Sequence, residues 1–273
     1  MARVTRFAPS PTGPLHLGHA FAAMMAAARG DRFFLRIEDI DTARCKPEWE
    51  SAIYEDLEWL GLRFETPVMC QSARIPAYRN ALARLTDMGF TYHCTCTRGD
   101  LRAALSAPQE GVLGPDGPVY PGTCRDRQHS EGALRLNIGK AMQAVGAIHF
   151  TETGTPPGDH IFDSAHMTTC VGDIVLARRD IGTSYHLAVV VDDAAQGITE
   201  VTRGEDLFDA TPIHVLLQRL LGLPTPAYYH HRLIRDDYGK RLAKRDDARA
   251  LSRYRAEGAT PADIRRMVGL PKG

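Results

Sequence analysis

The chain has 273 residues, 44% of them hydrophobic, with 33 Lys plus Arg set against 33 Asp plus Glu. That length can bury a sizeable core as one large domain or two modest ones. A net charge of +0 counts against a general nucleic-acid binder, and no stretch approaches the ~20 apolar residues that span a bilayer.

Met1-Ala2-Arg3-Val4 enters a strand-like run with no secretory signal, so the expected location is cytoplasmic. Six cysteines in that setting are expected as thiols or metal ligands, not disulfides. Residues 3–8 read as a strand, followed by a Pro/Gly turn and an Ala-rich helix over 16–29. A helix start offers unpaired N–H groups and a positive dipole end, which suits phosphate. His16 and His19 share one face of its first turn, and Gly18 leaves room for a flat ligand to approach. Phe33 to Ile37 is a second strand, ending in Glu38-Asp39. Pro47 to Leu60 reads as a helix stopped by Gly61, and Pro76 to Met88 as another stopped by Gly89. Strands alternating with helices imply βαβ units and a parallel sheet.

Between roughly 90 and 183 this rhythm breaks. Pro108 to Gly122 holds four Pro and four Gly and looks like loop, and Ala133 to Asn137 looks like a short strand. Cys94-Thr95-Cys96, followed by Tyr120 and Cys124, places thiols where they can converge on one ion. The nearly continuous apolar run from Tyr185 to Val191 is expected as a strand covered on both faces. A helix follows with Thr211 as N-cap, Pro212 at its first position and Gly222 as its stop. Thr260-Pro261-Ala262-Asp263 opens a final short helix in the same way. From Arg232 onward there are 12 Lys/Arg and 6 Asp/Glu, a local +6 compatible with a polyanion at one end of the molecule.

Two segments about 225 residues apart carry a family likeness. Arg6-Phe7-Ala8-Pro9-Ser10-Pro11-Thr12-Gly13 with His16-Leu17-Gly18-His19, and Lys240-Arg241-Leu242-Ala243-Lys244-Arg245, resemble the HIGH and KMSKS signatures of class I aminoacyl-tRNA synthetases. The first segment resembles the glutamyl subclass in particular. The resemblance runs from Met1 to about Arg249. It implies an α/β fold: a Rossmann-type doubly wound parallel sheet, split by an α+β zinc-binding insertion and followed by a short helical extension. The matching divisions are a first catalytic half over 1–89, an inserted acceptor-type module over 90–183, a second half over 184–245, and a stem-contact remnant over 246–273.

The implied chemistry is in-line attack of a carboxylate on the α-phosphorus of ATP-Mg. A carboxylate is already an anion, so positioning and charge stabilisation suffice. By the resemblance, His16, His19 and Lys244 are catalytic, and Gly18 and Arg241 join the two histidines and Lys244 at the nucleotide. Arg241 and Ala243 depart from the family's Lys and Ser, which leaves the finer contacts of that loop open. Arg6, Ala8, Ser10, Glu38, Tyr185 and Arg203 match residues of the family's glutamate pocket. Glutamate carries two carboxylates and one ammonium, so two Arg and one Glu balance it, with the assignment of each Arg open. A guanidinium fork also rejects an amide, whose NH2 would face more donors.

Glutamyl-queuosine tRNA(Asp) synthetases have a Cys-x-Cys…Tyr-x-x-x-Cys zinc site, and Cys94, Cys96, Tyr120 and Cys124 fit that spacing. One structural zinc is implied, with His93, Asp126 and His129 as alternatives for the fourth ligand. Only 28 residues follow Arg245, so no anticodon-binding domain is expected. This resemblance implies a monomer that activates glutamate without tRNA and transfers it to queuosine in the anticodon stem-loop of tRNA(Asp). The alternatives are a truncated glutamyl-tRNA synthetase charging a 3′ end, a related nucleotidyltransferase, and a catalytically silent tRNA-binding relative.

Overall fold

The computed structural model describes residues 2–97, 99–100, 113–178, 182–235 and 249–271. β1 (Val4–Phe7) is buried along its whole length. Helix α1 (Leu17–Arg29) packs back on the sheet through Ala20, Ala23, Met24 and Ala26, mostly small side chains that let helix and sheet approach closely. β2 (Arg32–Ile37) pairs parallel with β1, and β3 (Glu65–Cys70) pairs parallel with β2. α2 (Pro47–Trp59) and α3 (Ile75–Asp87) lie within a residue of their expected bounds, each with Pro in its first turn.

The chain then leaves the sheet. It forms β4 (Thr91–Cys94), the hairpin β5 (Leu113–Gly114) and β6 (Gly117–Pro118), and β7 (Ala133–Leu136). The hairpin falls inside the segment expected as plain loop. α4 (Ile138–Val145) leads to β8 (Ile148–Glu152) and β9 (Gly158–Phe162), and β10 (Val175–Ala177) completes a small antiparallel sheet of order β10-β7-β4. β8 and β9 do not belong to that small sheet. β8 pairs parallel with a later strand of the main sheet, and β9 lines its edge antiparallel. Part of the 90–183 segment is therefore built into the main sheet, because β8 buries Ile148 and Phe150 in its core.

Tyr185 to Val191 corrects the expectation of a strand: it is the first part of helix α5 (Tyr185–Ala195). The Ser184 hydroxyl caps it by accepting from Leu187 N. Leu187, Ala188, Val189 and Val190 are all buried, and a helix enclosed on every side shows the same unbroken apolar run as a covered strand. β11 (Glu200–Gly204) follows, then α6 (Thr211–Leu221) and β12 (Ala227–His231), parallel to β11. The N-cap of α6 is Ala210, not Thr211, because the Thr211 hydroxyl is engaged by Arg203 instead. Gly222 closes α6 at φ 64, a left-handed cap that glycine adopts without strain.

β11 lies beside β1: Thr199 N–H donates to the Val4 carbonyl, and Arg6 Nη1 to the Thr202 carbonyl. The strand succession is thus β3-β2-β1-β11-β12-β8-β9. One core joins the sheet to α3, α4, α5 and α6, and a second joins its other face to α1 and α2. Helices on both faces make the sheet doubly wound, as expected. The C-terminal helices α7 (Leu251–Ala256) and α8 (Pro261–Met267) add Leu251 and Ile264 to the second core. The Thr260/Asp263 capping box opens α8 as the sequence suggests. Among the described residues no helix is long and apolar enough to cross a membrane.

Asp56, on α2 facing α7, is 2% exposed, with Arg255 Nη1 3.6 Å from Oδ1. Burial pushes its carboxyl up to about 6 from 3.8, and Arg255 opposes this only in part. The folded state therefore holds this proton more tightly than the unfolded chain, and ionisation through pH 4–6 costs stability. Asp56→Asn should stabilise the protein at pH 8 by about 1–2 kcal/mol. The gain should vanish below pH 4, as read from thermal midpoints across pH. A variant equally or less stable at pH 8 would contradict this account of the α2–α7 contact.

Candidate active site

His16 is the N-cap of α1, and the backbone turn before it fixes both rings. Its Nδ1 accepts from Gly18 N at 3.1 Å, and His19 Nδ1 accepts from His16 N at 3.1 Å. The ring centroids lie 3.8 Å apart. Because each Nδ1 accepts from backbone, each neutral ring carries its proton on Nε2. The result is a pair of imidazole donors at a helix N-terminus, an arrangement matched to phosphate. A Cβ on Gly18 would meet the His16 ring at 3.0 Å. The glycine thus makes room for His16, whatever else approaches. Ala250 forms an antiparallel bridge with His16, and Leu251 N donates to the Leu15 carbonyl, tying the start of the C-terminal helices to this turn. Arg241 and Lys244 lie outside the described residues.

The expected amino-acid pocket is built around a carboxylate that the sequence reading did not single out. Asp193 of α5, 5% exposed, accepts from Arg6 Nε at 2.9 Å and from Arg36 Nη1 at 2.6 Å. Burial works against its ionisation, but the two guanidinium groups hold it below the usual carboxylate range. Arg36 is fully buried and donates onward from Nη2 to Glu38 Oε1 at 3.1 Å. Burial pushes Glu38 up and Arg36 pulls it down, with the rise prevailing. An ammonium arriving at Glu38 would favour its charged form.

Arg203, 6% exposed at the end of β11, is held differently. It donates from Nε to His230 Nε2, from Nη1 to His214 Nδ1, and from Nη2 to Thr211 Oγ1 and the Leu207 carbonyl. No carboxylate of the described residues forms an ion pair with it. Of the three buried arginines, Arg6 and Arg36 touch Asp193 or Glu38 directly, whereas Arg203 reaches its buried carboxylate, Glu152, only through His230.

A cavity of about 930 Å³ opens beside this cluster, lined among others by Ser10, Glu38, Gln71, Tyr185, Asp116, Tyr120 and Arg135. Tyr185 stands in the first turn of α5, its ring 5.7 Å from that of His214. Ala8 is half-buried just past β1. Arg6, Arg203 and His16 stand behind the cavity wall and do not line it. Gln71 is 1% exposed and donates to Asp192 Oδ2, while its Oε1 has no partner among the described residues. Sequence reasoning missed Gln71, Asp193 and His214, because a Gln, an Asp and a His on helices carry no motif of their own.

The Sγ atoms of Cys94, Cys96 and Cys124 all lie within 4.8 Å of one another. The Tyr120 hydroxyl sits 3.3 Å from Cys94 Sγ and 3.6 Å from Cys96 Sγ. The three cysteines, and the tyrosine that the family resemblance adds to them, lie together. Burial and the adjacent thiols hold the Tyr120 proton on, so a cation would have to displace it, as a bound metal does.

The description "tRNA synthetases class I (E and Q), catalytic domain" matches residues 3–271. A glutamyl-Q tRNA(Asp) synthetase of Rhodobacter capsulatus is 62% identical over 280 residues, covering 98% of this chain and 100% of its own length. The chain belongs to the class I tRNA synthetases. Another member of the family, the glutamyl-Q tRNA(Asp) synthetase of Nocardia farcinica, is 42% identical over 97% of this chain and 85% of its own. Among solved class I synthetases, a glutamate tRNA ligase from Elizabethkingia meningosepticum, in complex with its amino acid, superposes with a TM-score of 0.76 at 27% identity. That match covers 98% of this chain but 60% of the ligase, so the chain spans about three-fifths of that synthetase.

The thiol cluster predicts a metal. Protein purified without added metal should contain about one ion per chain, and Cys96→Ser should lose it while the main sheet stays folded. Elemental analysis with circular dichroism checks both. A metal-free protein of unchanged stability would show that the thiols are simply buried.

Proposed function

We infer that the chain activates L-glutamate with ATP-Mg, without RNA, and transfers it to the queuosine base in the anticodon stem-loop of tRNA(Asp). The observation that carries this reading is Arg203, a buried guanidinium that no carboxylate of the described residues touches directly. Glutamate, with two carboxylates and one ammonium, brings one negative charge and neutralises it. Glutamine brings none and would leave a buried cation uncompensated. The identity to full-length glutamyl-Q tRNA(Asp) synthetases supports the same substrate and acceptor.

In this reading Glu38 receives the α-ammonium, and Arg6 and Arg203, buried beside the cavity, balance the carboxylates, with Ser10, Ala8 and Tyr185 closing the pocket. The free carboxylate attacks the α-phosphorus in line and pyrophosphate leaves. His16 and His19 donate from Nε2 to phosphate oxygens as charge spreads over them, over Gly18 at the helix start. Lys244, with Arg241, supplies the mobile cation. The acceptor hydroxyl then attacks the mixed anhydride and AMP departs. Magnesium accompanies ATP. Cys94, Cys96, Tyr120 and Cys124 would hold one zinc, a structural clip for a segment rich in Gly and Pro. The basic stretch from Arg232 onward is suited to RNA phosphates, and the protein acts as a cytoplasmic monomer.

Glutamate-dependent ATP–pyrophosphate exchange should proceed with no RNA present, and glutamine should be a poor substrate. Lys244→Ala should lower kcat by about 100-fold with a smaller effect on KM for glutamate, the pattern of a contact made in the transition state. Exchange that requires tRNA would overturn tRNA-independent activation.

The acceptor is tested separately with labelled glutamate. tRNA(Asp) containing queuosine should be labelled, and tRNA(Asp) from cells unable to make queuosine should not. Equal labelling of both would instead point to an ordinary 3′-end synthetase.

A further inference from the structure

Arg203 is held by a chain of rings that leads out of the pocket. Its Nη1 donates to His214 Nδ1 at 2.9 Å. A guanidinium has no lone pair to offer, so this hydrogen bond exists only while His214 accepts at Nδ1 and carries its proton on Nε2. That Nε2 lies 2.9 Å from His186 Nδ1, which must then accept in turn. His186 is left to donate from Nε2, and Asp116 Oδ1 lies 2.8 Å away. All three hydrogen bonds run one way, from Arg203 to His214 to His186 to Asp116.

The protonation states agree with this direction. Burial, then the charge of Arg203, hold His214 well below the usual histidine range, so its ring is neutral. Burial works against the Asp116 carboxylate, but the His186 bond keeps it below its ordinary value. Asp116 sits in the turn between β5 and β6, and its side chain is 50% exposed, whereas that of His186 is 7% exposed. Arg203 has a comparable chain on its other side, through His230 to Glu152. There both side chains are nearly inaccessible, so only the Asp116 end comes from a surface hairpin.

We propose that Asp116, His186 and His214 form a tautomer-locking relay that fixes the orientation of Arg203 beside the amino-acid pocket, so that the pocket is complete only when the β5–β6 hairpin is docked. These are positioning residues, since none faces the reacting atoms. Without the Asp116 anion the chain can reverse. His186 then donates from Nδ1 to His214 Nε2, and His214 presents Nδ1–H to Arg203 Nη1–H. Donor faces donor, and the guanidinium is pushed out of place. An anion that can only accept removes that alternative, whereas an amide at the same position can present either O or NH2 to His186 and leaves only the Arg203 end to favour one direction. The relay deepens the glutamate reading and rests on it for the identity of the bound carboxylate.

Two readouts on the full chain test it, with Asp116→Asn and Asp116→Glu as variants. The first is the tautomer of His186 and His214 in ligand-free protein, from long-range 15N–1H spectra of 15N-histidine-labelled chain, with His214→Asn used for assignment. Wild type and Asp116→Glu should show both rings protonated at Nε2, and Asp116→Asn should show a mixture. The second is pyrophosphate exchange. Asp116→Asn should raise KM for glutamate about tenfold, the loss of about 1.4 kcal/mol, with KM for ATP and the thermal midpoint unchanged, and Asp116→Glu should restore it.

Unchanged tautomers in Asp116→Asn overturn the relay. So does a rise in both Michaelis constants together with a lower midpoint, which would mark the hairpin as merely structural. If wild type is inert toward glutamate while the tautomers still shift, the substrate reading fails and the relay to Arg203 stands.

Discussion

One buried carboxylate organises this site. Asp193 reaches from α5 to the ends of β1 and β2 and takes Arg6 and Arg36 together. Neither arginine could be buried alone, since an unpaired guanidinium in the interior costs several kcal/mol. With Asp193 between them both are tolerated, and the two strands are pinned at the edge where a ligand would sit. The neighbouring Asp192 is turned to a different face and takes Gln71 and Arg74 of the β3–α3 connection and Tyr78 of α3. Two consecutive acids on one helix thus fix the helix against both the sheet and its neighbour, and everything that lines the cavity from Glu38 to Gln71 depends on their placement.

Arg6 and Arg203 show why charge and partner are separate matters. Arg6 is neutralised directly by a carboxylate. Arg203 is surrounded by neutral acceptors, two histidine nitrogens, a hydroxyl and a carbonyl, with carboxylates only at the far ends of the histidine chains. Its orientation is fixed as firmly as an ion pair would fix it, while its charge stays uncancelled at close range. A site that must hold an anion benefits from that arrangement, because a direct carboxylate partner would compete with the ligand.

The segment between the two halves of the fold is less separate than a simple insertion. β8 and β9 extend the main sheet, and only β4, β7 and β10 form a sheet of their own. The thiol cluster, the β5–β6 hairpin and the cavity are contributed from this segment and face the pocket of the main sheet. Glu38 and Tyr185 of the main sheet and its helices therefore share one cavity with Asp116, Tyr120 and Arg135 of the inserted segment.

Much of this was legible in the order of residues. The His16/His19 turn, the parallel βαβ start, the capped α8 and the convergence of Cys94, Cys96, Tyr120 and Cys124 follow from local signals: a turn, a period, a cap, a spacing. Each of these is set within a few residues or by the geometry of one ion. The run at Tyr185 was misread because burial on every side erases the periodicity that tells helix from strand. Thr211 was misread as a cap because its hydroxyl had a stronger claim from Arg203, a residue eight positions away. The Asp193 pairing spans 187 residues to Arg6, and the ring chain brings together Asp116, His186, His214 and Arg203 from four different elements. Their hydrogen bonds exist only once sheet, helices and hairpin are packed, so no local pattern could announce them. The sequence determined which chemical groups are present and where each element begins. Which charges cancel, and which one is left over to meet a ligand, was decided by tertiary packing, because only proximity in a dry interior makes one charge the partner of another.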